Sequence, residues 1–199
     1  MTMTLVLATG SQTRQTLLRN AGVSFEICPA RINEENLRQA LMAEGASAAD
    51  IAVALAEKKA GKIATRFPED VVLGCDQVLE CGSTLLSKPE TLDEAKDQLC
   101  ILRGRTHRLL SAAVIHHAGR PVWRHVSTVR LTMRRFSDDY LDGYLRRNRD
   151  WILQSVGGYR IEEEGLRLFS SIEGDYFTVL GLPLLEILAY LGQRGVIEA

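Results

Sequence analysis

No apolar run in this sequence approaches the roughly 18 residues of a membrane-spanning helix, so no membrane partner is expected. Charge of one sign is also missing. Lys and Arg number 24 against 25 Asp and Glu, for a net charge of −1, so nothing supplies the basic field of a nucleic-acid partner. The four cysteines, Cys28, Cys75, Cys81 and Cys100, form no CxxC pair and no zinc spacing; they fit a reducing cytoplasm. There is no Walker loop, no GxGxxG, no internal repeat, no low-complexity tract and no linker. Met1 to Leu7 has no basic region ahead of its apolar residues and lacks the length of a signal peptide, so it reads as a first strand. What remains is a globular composition, 46% hydrophobic over 199 residues. We expect one α/β domain over 1–199, with a mixed twisted sheet flanked by helices.

The chain turns on Val71-Val72-Leu73-Gly74-Cys75-Asp76-Gln77-Val78-Leu79. It is apolar on both alternating faces, as a strand inside a sheet would be. Asp76 interrupts it. Burying an unpaired carboxylate costs several kcal/mol, roughly, so the fold must supply a partner, an ion or a water-filled cleft. Gly74, two residues earlier, leaves room for something to approach the backbone. The other reading is a structural Asp capping a neighbouring loop.

Before this strand, Leu5 to Ala8 reads as a strand broken by Thr9-Gly10, and Ser11 as the N-cap of a helix to about Asn20. A strand, a Gly-Ser turn and a helix aim free backbone N–H groups at an anion. Arg14 in the first helical turn opposes the helix dipole; either it shares an anionic ligand with Ser11 or it is a solvated surface residue. Val23 to Cys28 reads as a second strand. A helix follows from Glu34-Glu35 to about Ala43, and a longer one opens at the capping box Ser47-Ala48-Ala49-Asp50. In that longer helix Ile51, Ala52, Leu55, Ala56, Ala60 and Ile63 share a face, with Lys59 near its middle and Lys58 and Lys62 at its edges. Lys59 either snorkels outward or reaches a buried anion.

After the central strand, Leu85-Leu86 pairs back, Ser87-Lys88-Pro89 holds a lysine on restricted backbone, and Thr91 caps a helix from Asp93 to Leu102 with Glu94 at the capping-box position. Thr106 to His117 and Val122 to Met133 read as a hairpin joined by residues 118–121. Ser137 caps another helix. Residues 154–159 form a glycine-rich loop, Leu166 to Phe169 a short strand, residues 172–176 a turn, and Leu184 to Leu191 a last helix closed by Gly192. Three cations, Arg14, Lys59 and Lys88, are thus candidates for a polyphosphate. Two carboxylates, Asp76 and Glu34, are candidates for a hydrated divalent ion or a general base.

Seven segments in order resemble the Maf family, the septum-formation-related nucleoside-triphosphate pyrophosphatases. They are residues 7–14, Asn33-Glu34, Leu55 to Ala60, Gly74 to Val78, Ser87-Lys88-Pro89, Gly104 to His107, and Ile172 to Tyr176 with Val179 to Leu184. The resemblance implies hydrolysis of a nucleoside triphosphate to the monophosphate and pyrophosphate in the cytoplasm, with Mg²⁺ or Mn²⁺. It also implies a deep nucleotide cleft and a homodimer. It assigns Asp76, Glu34 and Lys59 to catalysis, with Asp76 and Glu34 as metal candidates, and Ser11, Arg14 and Lys88 to phosphate contact. Thr13, Gln77 and Glu162 stand where the family's branches differ. Gln77 and Glu162 are similar to the branch acting on 7-methyl-GTP; Thr13 matches neither that branch nor the dTTP/UTP branch. Gln12-Thr13 replaces the family's Pro-Arg, Asn33 an aspartate, and Gln154-Ser155 an Asp-Lys. The alternatives carried with this reading are a dTTP/UTP pyrophosphatase and a nucleotide-binding regulator of cell division with little turnover.

Overall fold

A computed structural model describes residues 3–198; the expectation for Met1 and Thr2 lies outside them. The fold is α/β, with a mixed, open sheet in the strand order β2-β1-β3-β5-β6-β7 and β4 paired to β3. The strands are β1 (Leu5–Leu7), β2 (Glu26–Ile27), β3 (Val71–Cys81), β4 (Thr84–Leu86), β5 (Thr106–His117), β6 (Arg120–Met133) and β7 (Phe169–Glu173). β2 and β3 both run parallel to β1, while β4 is antiparallel to β3 and β7 to β6. The helices are α1 (Gln12–Asn20), α2 (Glu34–Ala43), α3 (Ala48–Ala64), α4 (Leu92–Leu102), α5 (Asp138–Asn148), α6 (Tyr176–Val179) and α7 (Leu184–Gln193). The chain forms two compact units. One comprises the residues up to Gln77, Leu110–Ser127 and those from Tyr176 on; the other comprises Val78–Leu109 and Thr128–Asp175.

In the first unit the period of two along β1 and β3 sorts side chains onto two faces. Leu5, Leu7, Val71, Leu73 and Cys75 pack with Leu17 and Leu18 of α1 and with Leu184, Ile187 and Leu191 of α7. Val6, Ala8 and Val72 point the other way, onto Ala60, Ile63 and Ala64 of α3. The capping box at Ser47 and Asp50 starts α3 as expected. Gly74 lies on the α3 side of β3. A Cβ there would sit 2.2 Å from the Ala56 carbonyl oxygen and 2.7 Å from the Ala60 nitrogen. The glycine expected to admit a close neighbour therefore admits a helix backbone.

In the second unit α4, α5 and two single helical turns, Ile152–Gln154 and Val156–Gly158, surround a small aromatic core. His107 stacks at a tilt on Tyr159 and Phe169, and its Nε2 lies 2.7 Å from the Tyr159 hydroxyl. The Tyr144 hydroxyl donates to the Gly158 carbonyl at 3.0 Å. Gly157 and Gly158 both take positive φ, 74° and 67°, which glycine adopts without strain.

Several boundaries differ from expectation. The second strand shrinks to Glu26–Ile27 because β1 offers only three residues to pair with. The hairpin turn is only Ala118-Gly119, both at positive φ, as a two-residue turn requires; β6 therefore begins at Arg120. Leu166 to Leu168 coil as a single helical turn rather than a strand, because Gly165 is pressed on the Arg160 backbone. The strand lies one step later, and Ile172-Glu173, expected in a turn, pair with Arg130 and Leu131. Glu94 turns its carboxylate to the Glu90 N–H, not to the Thr91 N–H that a capping box would use. The last helix runs through Gly192. Gly195 closes it, with the Val196 N–H donating to the Leu191 carbonyl and the Gly195 N–H to the Gly192 carbonyl.

Candidate active site

Asp76 follows Gly74 on the same face of β3, so its carboxylate points to α3. There it meets Lys59, the one lysine of α3 that the apolar stripe places inside. Lys59 Nζ donates to Asp76 Oδ1 at 2.6 Å and lies 3.0 Å from Glu34 Oε1. Lys59 and Asp76 are buried, at 6% and 5% exposure; the Glu34 side chain is 43% exposed. Of the three outcomes expected for the buried carboxylate, a partner, an ion or a water-filled cleft, the structure shows a partner, and the lysine does not snorkel. Lys58 and Lys62, at the stripe's edges, are both exposed.

Glu34 is the first residue of α2, and Asn33 caps that helix by accepting from the Asn36 N–H at 3.0 Å. Asparagine therefore keeps the capping function that the family's aspartate would serve at this position. The Lys62 ammonium holds the preceding loop through the Arg31 carbonyl.

Ser11 caps α1, its hydroxyl oxygen accepting from the Arg14 N–H at 3.4 Å, and Thr13 lies half-buried in the first turn. Arg14 is neither a solvated residue nor one whose donors are all left for a ligand. Its Nε donates to the Gly181 carbonyl at 2.8 Å and its Nη1 to the Cys75 carbonyl at 3.1 Å. A Cβ on Gly181 would stand 3.2 Å from the guanidinium, and Gly181 has φ 92°. Gln77 points its amide nitrogen at Ser111 Oγ (3.0 Å) and at the carbonyls of Thr178 and Val179 (both 3.1 Å). Ser111 Oγ itself donates to Thr178 O at 2.8 Å. The last carbonyls of the short helix α6 are thus collected by side chains of β3 and β5. Sequence reasoning missed Ser111 and Gly181. Ser111 did carry a signal, as the one polar residue within Leu109 to Ile115. Burial pushes the Cys75 thiol up to about 11, so this neighbour of Asp76 is an inert packing residue.

Lys88 and Glu162 belong to the second unit. Both are exposed; the Ser87 carbonyl before Lys88 accepts from Gln98 Nε2 at 3.1 Å, and Pro89 after it is buried. Glu162 lies in the turn that follows Tyr159. In the glycine-rich loop, Ser155 Oγ donates to the Tyr159 carbonyl at 2.5 Å and Gln154 Oε1 accepts from Arg160, so the two departing residues serve the loop's own structure. Among the described residues no cluster of three or more His, Cys, Asp or Glu side chains is arranged to hold a metal ion, and no helix is long and apolar enough to cross a membrane. The oxygens of Asp76 and Glu34 converge on one cation, the Lys59 ammonium. Two hard oxygen donors suit a Mg²⁺-like ion whose other ligands are phosphates and water, so this pair fits a divalent cation.

The family described as Maf-like protein matches residues 4–194. The chain is 54% identical over 194 residues to a nucleoside triphosphate pyrophosphatase of Ruegeria sp. (strain TM1040), covering 98% of each chain. It is 55% identical over 198 residues to the protein of the same name in Ruegeria pomeroyi, covering 100% of each. It is also 47% identical over 195 residues to a 7-methyl-GTP pyrophosphatase of Rhizobium meliloti, covering 98% of each.

Proposed function

This chain belongs to the Maf family, and from that premise we propose that it is a nucleoside triphosphate pyrophosphatase of the cytoplasmic nucleotide pool. Water attacks the α-phosphorus, the bond between the α- and β-phosphates breaks, and the nucleoside monophosphate and pyrophosphate leave. The observation that carries this reading is the buried lysine between two carboxylates. Asp76 acts as the general base, its carboxylate receiving the water's proton. Lys59 and Arg14 offset phosphate charge, and the Ser11 hydroxyl and the N–H groups opening α1 bind phosphate oxygens. Asp76 and Glu34 would hold the divalent ion, Mg²⁺ or Mn²⁺. When bound, that ion supplies further neutralisation of the phosphates. Lys88 is proposed as a further phosphate contact, and the whole chain as one functional domain.

For the base, Gln77 and Glu162 favour 7-methyl-GTP, as does the likeness to the Rhizobium meliloti protein. A carboxylate at Glu162 accepts from the adjacent N1–H and 2-amino donors of guanine, and a pyrimidine lacks that pair. A site built to bond a group rejects analogues without it, because its polar atoms are left unpaired. With its nitrogen turned inward, Gln77 has only its oxygen, an acceptor, left to offer a ligand.

The test is a panel of 7-methyl-GTP, GTP, dTTP and UTP with Mg²⁺ and with Mn²⁺, scored for monophosphate and pyrophosphate. We expect 7-methyl-GTP to lead. A lead for dTTP or UTP overturns the base assignment, and absence of pyrophosphate release from every substrate overturns the enzyme reading.

A further inference from the structure

Asp76 Oδ1 and Glu34 Oε1 lie 2.6 and 3.0 Å from the same ammonium. Two acid oxygens converging on one point make a cation site, and here the protein fills it with its own cation. A divalent ion binds oxygens at about 2.0–2.1 Å and would stand in contact with that ammonium. At comparable distances, repulsion between a dication and one ammonium offsets about half of the attraction exerted by two carboxylates. With Lys59 in place the three side chains carry −1 in all, too little to strip water from a small dication; without it they carry −2. The ammonium is held by its bond to Asp76 and its contact with Glu34, but it sits at the end of a flexible four-carbon stem with three donors, so it can turn to another anion.

We propose that Lys59 is a built-in stand-in for the divalent ion. In the nucleotide-free protein it blocks the Asp76–Glu34 pair, and the ion enters only together with a triphosphate, whose oxygens take over the ammonium. The site is thereby kept from loading with free metal. The proposal rests on the pyrophosphatase reading for its second half only. The first half, blocking, is a property of the free protein.

The experiment is Mn²⁺ binding to the full-length protein, by calorimetry and by loss of the free Mn²⁺ electron-spin signal, with no turnover required. Wild type should bind Mn²⁺ alone weakly. Lys59→Met should bind it tighter by about 10-fold or more, the size expected when an ammonium beside the ion is removed. Adding Glu34→Gln to Lys59→Met should cancel the gain. Lys59→Gln, which keeps a polar tip, is measured in parallel should the methionine variant fail to fold. In wild type, a non-hydrolysable triphosphate should raise Mn²⁺ uptake beyond what the nucleotide binds by itself. If wild type binds Mn²⁺ alone as tightly as the lysine variants, the proposal is overturned. If the variants gain affinity as expected but the substrate panel yields no pyrophosphate, the stand-in role survives and the pyrophosphatase reading falls.

Discussion

Lys59 and Asp76, in one compact unit, are buried as charges that answer each other at 2.6 Å. His107 and Tyr159, in the other, are buried as neutral rings that share one hydrogen bond at 2.7 Å. His107 is 1% exposed and Tyr159 4%, as deeply buried as the ion pair. Burial pushes His107 down to about 4, and it raises the Tyr159 hydroxyl well above its usual range, so neither ring is charged at neutral pH. The difference is one of cost. The neutral rings make one hydrogen bond and leave His107 Nδ1 buried without a partner, a smaller cost than that of an unpaired buried charge. A buried ion pair is often no more stabilising than apolar residues of the same volume. The rings are explained by the loop they hold. The charges are not explained by stability, so their place in the fold points to chemistry.

Three experiments bear on this contrast. The largest concerns Asp76→Asn. Turnover should fall by roughly 10²–10⁴-fold, the worth of a general base, with a circular-dichroism melt close to wild type. Asparagine keeps an acceptor for Lys59 and Glu34 keeps a countercharge, so the fold survives. A folded variant within a few-fold of wild-type turnover would mean that the buried charge is structural after all.

The next concerns Gly74→Ala. The new carbon would overlap the Ala56 carbonyl, and adjusting to it costs about 3 kcal/mol, the upper part of the usual range for overpacking. Urea denaturation should show that loss. The surviving folded protein should also turn over more slowly, because α3 carries Lys59 away from Asp76. Unchanged stability would mean that α3 is not held where Gly74 allows it.

The smallest is set by His107. Its pKa is depressed in the folded state, so its neutral form contributes stability that is complete above about 6.5 and is lost as pH falls towards about 4. Between pH 7 and pH 5 this costs about 2 kcal/mol, since only the unfolded chain takes up the proton there. His107→Gln should flatten that part of the stability profile in denaturation series at several pH values. An equal acid loss in the variant would assign the sensitivity to other groups.

Much of this was open to the sequence. N-caps at Ser11, Ser47, Thr91 and Ser137 mark helix starts because their oxygens satisfy backbone N–H groups within three residues, a purely local bond. Lys59 stood out because a cation broke an apolar stripe, and Asp76 because a carboxylate broke an apolar strand. Their meeting is not legible in the sequence, since it depends on α3 packing closely on β3 at Gly74. The partners of Arg14 and Gln77 are not legible, since all but Ser111 among the acceptors named above are backbone carbonyls, which carry no side-chain signature. The strand at Phe169–Glu173 is not legible in place because its pairing is decided by β6, across α5 and the helical turns between them, not by its own residues.

The amide of Gln77 has a bearing on how such a protein can change over generations. It stands next to Asp76, at a position where the family's branches differ, and it also ties down the carbonyls of Thr178 and Val179. A substitution at this residue removes the amide's bonds to those carbonyls, and with them one tie on the end of α6 before Gly181, the residue on which Arg14 rests. Ser111 retains one of the two anchors, so the turn would loosen without being lost. On the proposed role of Gln77, the choice of base and the rigidity of that turn are tied to one side chain.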